Sequence, residues 1–165
     1  LADETGDTAF LAVRSGYDTV CIERKMGPYP IKAFTVDVGT RRPLGVGAGG
    51  IIMIAALSED EAELVFESIR EPLQAYPNVS EPSLRAAVAR AREDGYALSD
   101  GLVMTGVRGL AVRVSDAHGA PMAALSLSAV QDRIRPERVP ALVKALEERR
   151  KRIERSLAGP GRRLR

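Results

Sequence analysis

VRGLAVRVSDAHGAPMAALSLS, residues 107–128, is the stretch on which the fold of this chain is read. Two apolar-rich runs, Val107–Ser115 and 122–128, flank Asp116-Ala117-His118-Gly119, a composition suited to a tight turn, so the segment reads as an antiparallel hairpin. Side chains alternate between the two faces of a strand. Leu125 and Leu127 therefore share one face, and Ala124, Ser126 and Ser128 share the other. On the partner strand Leu110, Val112 and Val114 face one way; Gly109, Ala111 and Arg113 face the other. One side of the ribbon is bulky and aliphatic, suited to packing under helices. The other is small or hydroxyl-bearing at its centre, whereas a solvated face more usually carries Lys, Glu or Thr. Two uses of that face stay open: a concave small-molecule cavity, or a helix packed closely over small residues.

Working outward, residues 8–14 (TAFLAVR) and 19–24 (TVCIER) read as a first hairpin joined by residues 15–18. Residues 31–38 are strand-like, and residues 39–50 (GTRRPLGVGAGG) break the pattern. The apolar run 51–57 reads as a helix that starts within the glycines and is buried nearly all round. Ser58 with Glu61 is a capping-box signature for a helix burying Ala62, Val65, Phe66 and Ile69, with Pro72 just beyond its end. A helix over residues 81–94 follows, with Leu84, Val88 and Ala91 on one stripe and Gly95 as its stop. A short strand at 96–99 precedes the second hairpin, and a last helix covers about residues 136–157. Strands cluster near both ends without strict βαβ alternation, which favours an α+β domain with a mainly antiparallel sheet.

The 165 residues fit one domain, and 45% hydrophobic with 28% charged residues is the balance of a soluble globular chain. Of 24 basic residues, three are Arg162, Arg163 and Arg165 in the tail; the other 21 face 22 acidic residues, so the body has no electrostatic footprint for nucleic acid. One cysteine, Cys21, excludes an intrachain disulfide, and one histidine, His118, excludes two-histidine metal motifs. No apolar stretch is long enough to cross a bilayer, no signal-peptide pattern opens the chain, and the expectation is a cytoplasmic domain without membrane contact. With no tryptophan and few aromatics, base-stacking platforms are not expected.

Gly45-x-Gly47-x-x-Gly50 matches the dinucleotide-binding pattern in letters only. Arg41-Arg42-Pro43 precedes it where a buried strand should run, and the acidic residues about 20 positions on, Glu67 and Glu71, lie in or at the end of a helix. No Lys-Ser or Lys-Thr follows Gly50 to make a P-loop. The glycines instead permit close approach of a helix start to the sheet or to an anion held by first-turn N–H groups. For catalysis no Gly-x-Ser-x-Gly elbow is present, His118 belongs to a solvated turn, Asp100 and Asp116 have no nucleophile motif, and Cys21 reads as buried filler. Arg149-Arg150-Lys151-Arg152 follows Glu147 and Glu148, so Glu147/Lys151 and Glu148/Arg152 pairing on a solvated helix face is expected.

The combination resembles the C-terminal effector-binding domain of IclR-type transcriptional regulators. The matching pieces, in order, are Thr5-Gly6-Asp7-Thr8, Val38-Gly39-x-Arg41-x-Pro43-Leu44 before the glycine/alanine helix start, Asp94-Gly95-Tyr96-Ala97, Gly106-Val107-Arg108-Gly109-Leu110-Ala111-Val112, and Ala123-Ala124-Leu125-Ser126-Leu127-Ser128. The resemblance implies a GAF/profilin-like α+β fold whose curved, mainly antiparallel sheet and covering loops enclose a small effector. It carries the pocket to Gly47, Ala48, Ser99, Val107, Gly109, Ser126 and Ser128, with Ala33 a further position. It implies residues 1–5 as the end of an interdomain linker helix and 6–158 as the effector domain; residues 159–165, arginine-rich after Gly159-Pro160-Gly161, read as a disordered basic tail. DNA would be met only through an upstream winged helix-turn-helix that these residues do not include, and assembly as a homo-dimer or tetramer is implied. The effector expected is a small organic acid, its carboxylate accepting from N–H groups near Gly47–Gly49 and from the Ser126 and Ser128 hydroxyls; no cofactor, metal or catalytic residue is expected. Two departures bear on effector identity: Gly50 stands where many members have lysine, and Ser99 where relatives often have an acid. Two rival classes are a structural or oligomerisation module without ligand and a small hydrolase using Ser126 or Ser128, the latter lacking a histidine partner.

Overall fold

The structure is a computed structural model and describes residues 1–33 and 36–158. A short helix α1 (Ala2–Thr5) leads into the hairpin β1 (Thr8–Ser15) and β2 (Asp18–Lys25), then β3 (Arg41–Pro43). Helices α2 (Gly47–Ala55), α3 (Glu59–Ile69) and α4 (Glu81–Asp94) follow, then β4 (Ala97–Asp100), the hairpin β5 (Val107–Ser115) and β6 (Pro121–Val130), and α5 (Val139–Ala158). The strands form one curved sheet in the order β3-β2-β1-β6-β5-β4, with every neighbouring pair antiparallel. The α+β, GAF/profilin-like reading holds.

Pairing of β1 with β6 welds the two hairpins into the middle of the sheet, setting Phe10 opposite Ser126 and Thr8 opposite Ser128. The face assignment made from strand alternation also holds. Leu110, Val112, Val114, Leu125 and Leu127 belong to a core shared with Leu142 and Leu146 of α5. Ala111 and Ala124 on the opposite face belong to a second core with Ile51, Met53 and Ile54 of α2 and with residues of α3 and α4. The run from Ile51 to Ile54 is buried throughout, because α2 lies between the sheet and the outer helices.

Helix ends follow the predicted chemistry. The Ser58 hydroxyl accepts from the Glu61 N–H, and Gly95 closes α4 in the left-handed conformation at φ 77°. At Gly50 a side chain has no room: a Cβ there would lie 2.6 Å from the backbone nitrogen of Gly45. The loop before α2 therefore folds back tightly on the helix, and the glycine in place of lysine has a steric role in this chain.

Three expectations need correction. The described residues of 31–38 form no strand; the third strand is Arg41–Pro43. Pro43 argued against a strand, but β3 is the sheet edge, where a missing N–H breaks no ladder. The final helix starts at Val139 rather than at residue 136. The ion pairs on that helix join Arg150 to Glu147 (2.5 Å) and Glu154 (2.9 Å), and Arg149 to Glu4 of α1 (2.8 Å), instead of the two expected i,i+4 pairs. The tail 159–165 lies outside the described residues.

One tie was not foreseen. The Asp7 side chain, 1% exposed, accepts from Arg133 Nε and, at 2.8 Å, from Arg138 Nη1. Both guanidinium groups also donate to the Thr5 carbonyl, at 2.9 and 2.6 Å. Arg133 stacks on Tyr29, 3.8 Å from the ring centroid. This corner pins the start of β1 to the turn after β6.

Candidate functional site

A cavity of about 80 Å³ lies between the N-terminal turn of α2 and the small-residue face of the sheet. At ~10–15 Å³ for each water-sized probe, that space holds about five to eight water-sized groups. Seven of the eight residues singled out from the sequence line it: Gly47 and Ala48 from α2, Ser99 from β4, Val107 and Gly109 from β5, Ser126 and Ser128 from β6. Ala33 is buried but does not line this cavity.

The register explains the convergence. Gly109 pairs with both Ser99 and Ser128, and Ala111 pairs with Ser126, so these positions fall on one concave face. Gly109 holds the cavity open: a Cβ there would sit 2.9 Å from the Ser99 hydroxyl oxygen and 3.4 Å from the Ala48 methyl.

The lining is rich in hydrogen-bond donors. The N-cap residue of α2 is Val46, whose side chain makes no cap, and no acidic residue stands in the first turn. Its leading N–H groups and the positive end of its dipole therefore face the cavity unneutralised by a side chain. The Ser128 hydroxyl makes a long bond (3.4 Å) to the Arg108 carbonyl. Outside the lining, opposite Ser128, the Thr8 hydroxyl is buried with no hydrogen-bond partner among the described residues. No Asp or Glu is among the described residues lining the cavity.

Several lining residues escaped the sequence reading. Phe10 and Ala12 of β1, next to the serine strand, and Thr19 and Cys21 of β2, Thr40, and Arg42 of β3 beyond it also line the cavity. Their side-chain parity is readable within the first hairpin, since Cys21 pairs with Ala12. What was not readable is the β1–β6 pairing that brings this wall to the serine-bearing strand. Burial pushes the Cys21 thiol above its ordinary range, which keeps it protonated, and burial pulls the Arg42 guanidinium below its own while leaving it charged.

The arrangement suits binding better than bond breaking. His118 is exposed in the β5–β6 turn, where its N–H and that of Ala120 donate to Asp116 (2.8 and 2.9 Å) and hold that carboxyl below the usual range. The turn begins beyond Pro121, about 16 Å along the strand from Ser126 at ~3.3 Å per residue. The single histidine is thus not placed to activate either serine.

A family model described as "Bacterial transcriptional regulator IclR C-terminal" matches residues 1–155. The chain belongs to that family. It is 33% identical over 135 residues to the HTH-type transcriptional regulator XynR of Escherichia coli K12, covering 81% of this chain and 53% of that protein. It is 29% identical over 144 residues to the transcriptional repressor IclR of the same organism, covering 84% and 52%. The solved structure of an IclR transcriptional regulator from Alicyclobacillus acidocaldarius superposes with a TM-score of 0.80 at 30% identity, covering 93% of this chain and 62% of that one. The chain therefore spans about half the length of the curated relatives it matches, as an IclR C-terminal regulatory domain. These relatives are named as transcriptional regulators and a repressor, not as enzymes. Among the described residues no helix is long and apolar enough to cross a membrane.

Proposed function

We propose that this IclR C-terminal domain is a sensor that binds a small organic acid in the α2–sheet cavity and performs no chemistry on it. The observation that carries the reading is a cavity lined by an uncapped helix start and serine hydroxyls, with no lining carboxylate among the described residues. An anion with several acceptor oxygens satisfies those donors together. Gly47, Ala48, Ser99, Val107, Gly109, Ser126 and Ser128 form the contact set in this proposal. The effector would act through different affinities for two arrangements of a cytoplasmic homo-dimer or tetramer, and DNA would be bound by a winged helix-turn-helix upstream of residue 1.

Thermal unfolding in the presence of a panel of small carboxylates tests this. At a hundredfold excess over Kd a bound acid stabilises by about 2.7 kcal/mol, a rise of ~5–10 °C for a domain of this size. Ser126→Leu should abolish the rise. A rise that survives the blocked cavity removes the site assignment, and no rise with any acid favours a ligandless structural module.

A further inference from the structure

Strand register sets four residues in one row across the concave face. Ser99 of β4 pairs with Gly109 of β5, Gly109 pairs with Ser128 of β6, and Ser128 pairs with Thr8 of β1. Directly opposed residues of antiparallel strands point to the same side, so three hydroxyls share the row with one bare glycine. All three hydroxyl-bearing residues are buried. Ser99 and Ser128 line the cavity; Thr8 lies one position beyond it, on the same face as the lining residues Phe10 and Ala12. Thr8 is 2% exposed, and its hydroxyl has no hydrogen-bond partner among the described residues. A hydroxyl buried in that way has lost its hydration without replacement. A partner stands close by: an opposed pair holds its Cβ atoms about 4.5–5.5 Å apart, a spacing at which cross-strand Thr–Ser hydrogen bonds form. Ser128 instead leans toward β5, where its hydroxyl donates to the Arg108 carbonyl at 3.4 Å. That distance is long for an O–H···O bond, so little is lost when Ser128 leaves it.

We infer that Thr8 is a positioning residue for the acid site: its hydroxyl donates to Ser128 Oγ when the Ser128 hydroxyl turns from the Arg108 carbonyl to donate to a bound carboxylate. The two bonds form a chain, Thr8 O–H to Ser128 Oγ and Ser128 O–H to the carboxylate, in which each polarises the next. The free domain thus carries an unpaired hydroxyl that only the loaded domain pairs, and relief of that burial adds to affinity. The inference rests on the sensor reading of the same cavity. It adds a residue that acts on the ligand without touching it, and it requires stability and binding to move in opposite directions when the Thr8 hydroxyl is removed.

Thr8→Val keeps the β-branched shape and removes the hydroxyl. Thermal unfolding of the free chain and calorimetric titration with propionate, butyrate, malonate and succinate test the inference on the wild type, Thr8→Val, Thr8→Ser, Ser128→Ala and the Thr8→Val, Ser128→Ala double mutant. Thr8→Val should unfold ~2–4 °C above the wild type and bind at least one of the four acids about 3- to 10-fold more weakly, the range for one hydrogen bond between neutral groups. Thr8→Ser, which keeps the donor, should bind within about twofold of the wild type. In the Ser128→Ala background Thr8→Val should weaken binding no further, because Thr8 acts through the Ser128 oxygen. A Thr8→Val chain that unfolds below the wild type, or does not fold, overturns the inference, since the hydroxyl is then already paired in the free domain, as by a buried water. Equal weakening by Thr8→Val with and without the Ser128 oxygen also overturns it, as a packing effect. Unchanged affinity in Thr8→Val, with binding lost in Ser126→Leu, overturns it and leaves the sensor reading standing. Failure of all four acids to bind the wild type removes both.

Discussion

The two faces of the β5–β6 hairpin are built from the same strands, yet they do opposite work. On the outer face Leu110, Val112, Val114, Leu125 and Leu127 fill the space under α5. On the concave face Gly109, Ser126 and Ser128 line the cavity under α2, while Ala111 and Ala124 let α2 pack closely on the sheet. Side-chain volume was spent on one side and withheld on the other. Stability should therefore be concentrated in the aliphatic face and binding in the small-residue face, and substitutions on adjacent residues should separate the two.

The largest effect expected is on the aliphatic face. Leu127→Ala removes a side chain only 1% exposed and should cost about 2–5 kcal/mol in chemical denaturation, because the site cannot collapse around the void. Its neighbour Ser126→Ala should change stability by less than ~0.5 kcal/mol while weakening acid binding. Equal losses at the two positions would break the comparison.

Next comes the corner that holds both faces in register. Asp7→Asn should cost about 2–3 kcal/mol by the same measurement. That is below the full penalty for stranding a buried charge, since Arg133 and Arg138 keep access to water.

Gly109→Ala places a methyl 2.9 Å from the Ser99 hydroxyl and should cost about 1–2 kcal/mol along with most of the binding. Removing that oxygen with Ser99→Ala should recover stability in the double mutant. Recovery of stability without recovery of binding would show that the cavity is limited by volume; recovery of both would give the clash the whole effect.

The smallest effect concerns Cys21. Its thiol is raised by burial, so alkylation by iodoacetamide near neutral pH should be slow, and slower again with a saturating acid in the cavity. The folded chain holds this proton more tightly than the unfolded one. Its contribution to stability is therefore fully present below the ordinary thiol range and is lost as pH rises from there through the raised folded-state value.

The hairpin was legible because both of its faces are written within 22 contiguous residues, and period-2 alternation needs no tertiary information. The glycine-rich helix start and the caps at Ser58 and Gly95 were legible for the same local reason. The missed features are all non-local or edge-dependent. β3 was hidden because Pro43 is forbidden in a central strand and tolerated at an edge, and a sequence does not say which strand is the edge. Arg42 and Cys21 reached the cavity only through the pairing of β1 with β6, which joins residues more than 100 positions apart. The Asp7–Arg133–Arg138 cluster spans 126 and 131 positions, and no local pattern marks it. Short-range periodicity thus yielded one wall of the site, and long-range strand order supplied the other.

The most direct measurement is a crystal structure of the chain with the carboxylate that stabilises it most. The account predicts that acid in the α2–sheet cavity, one carboxylate within hydrogen-bond distance of the Gly47–Gly49 amides and the Ser126 or Ser128 hydroxyl. An acid bound elsewhere, with α2 packed down onto Gly109 and Ser126, would contradict it.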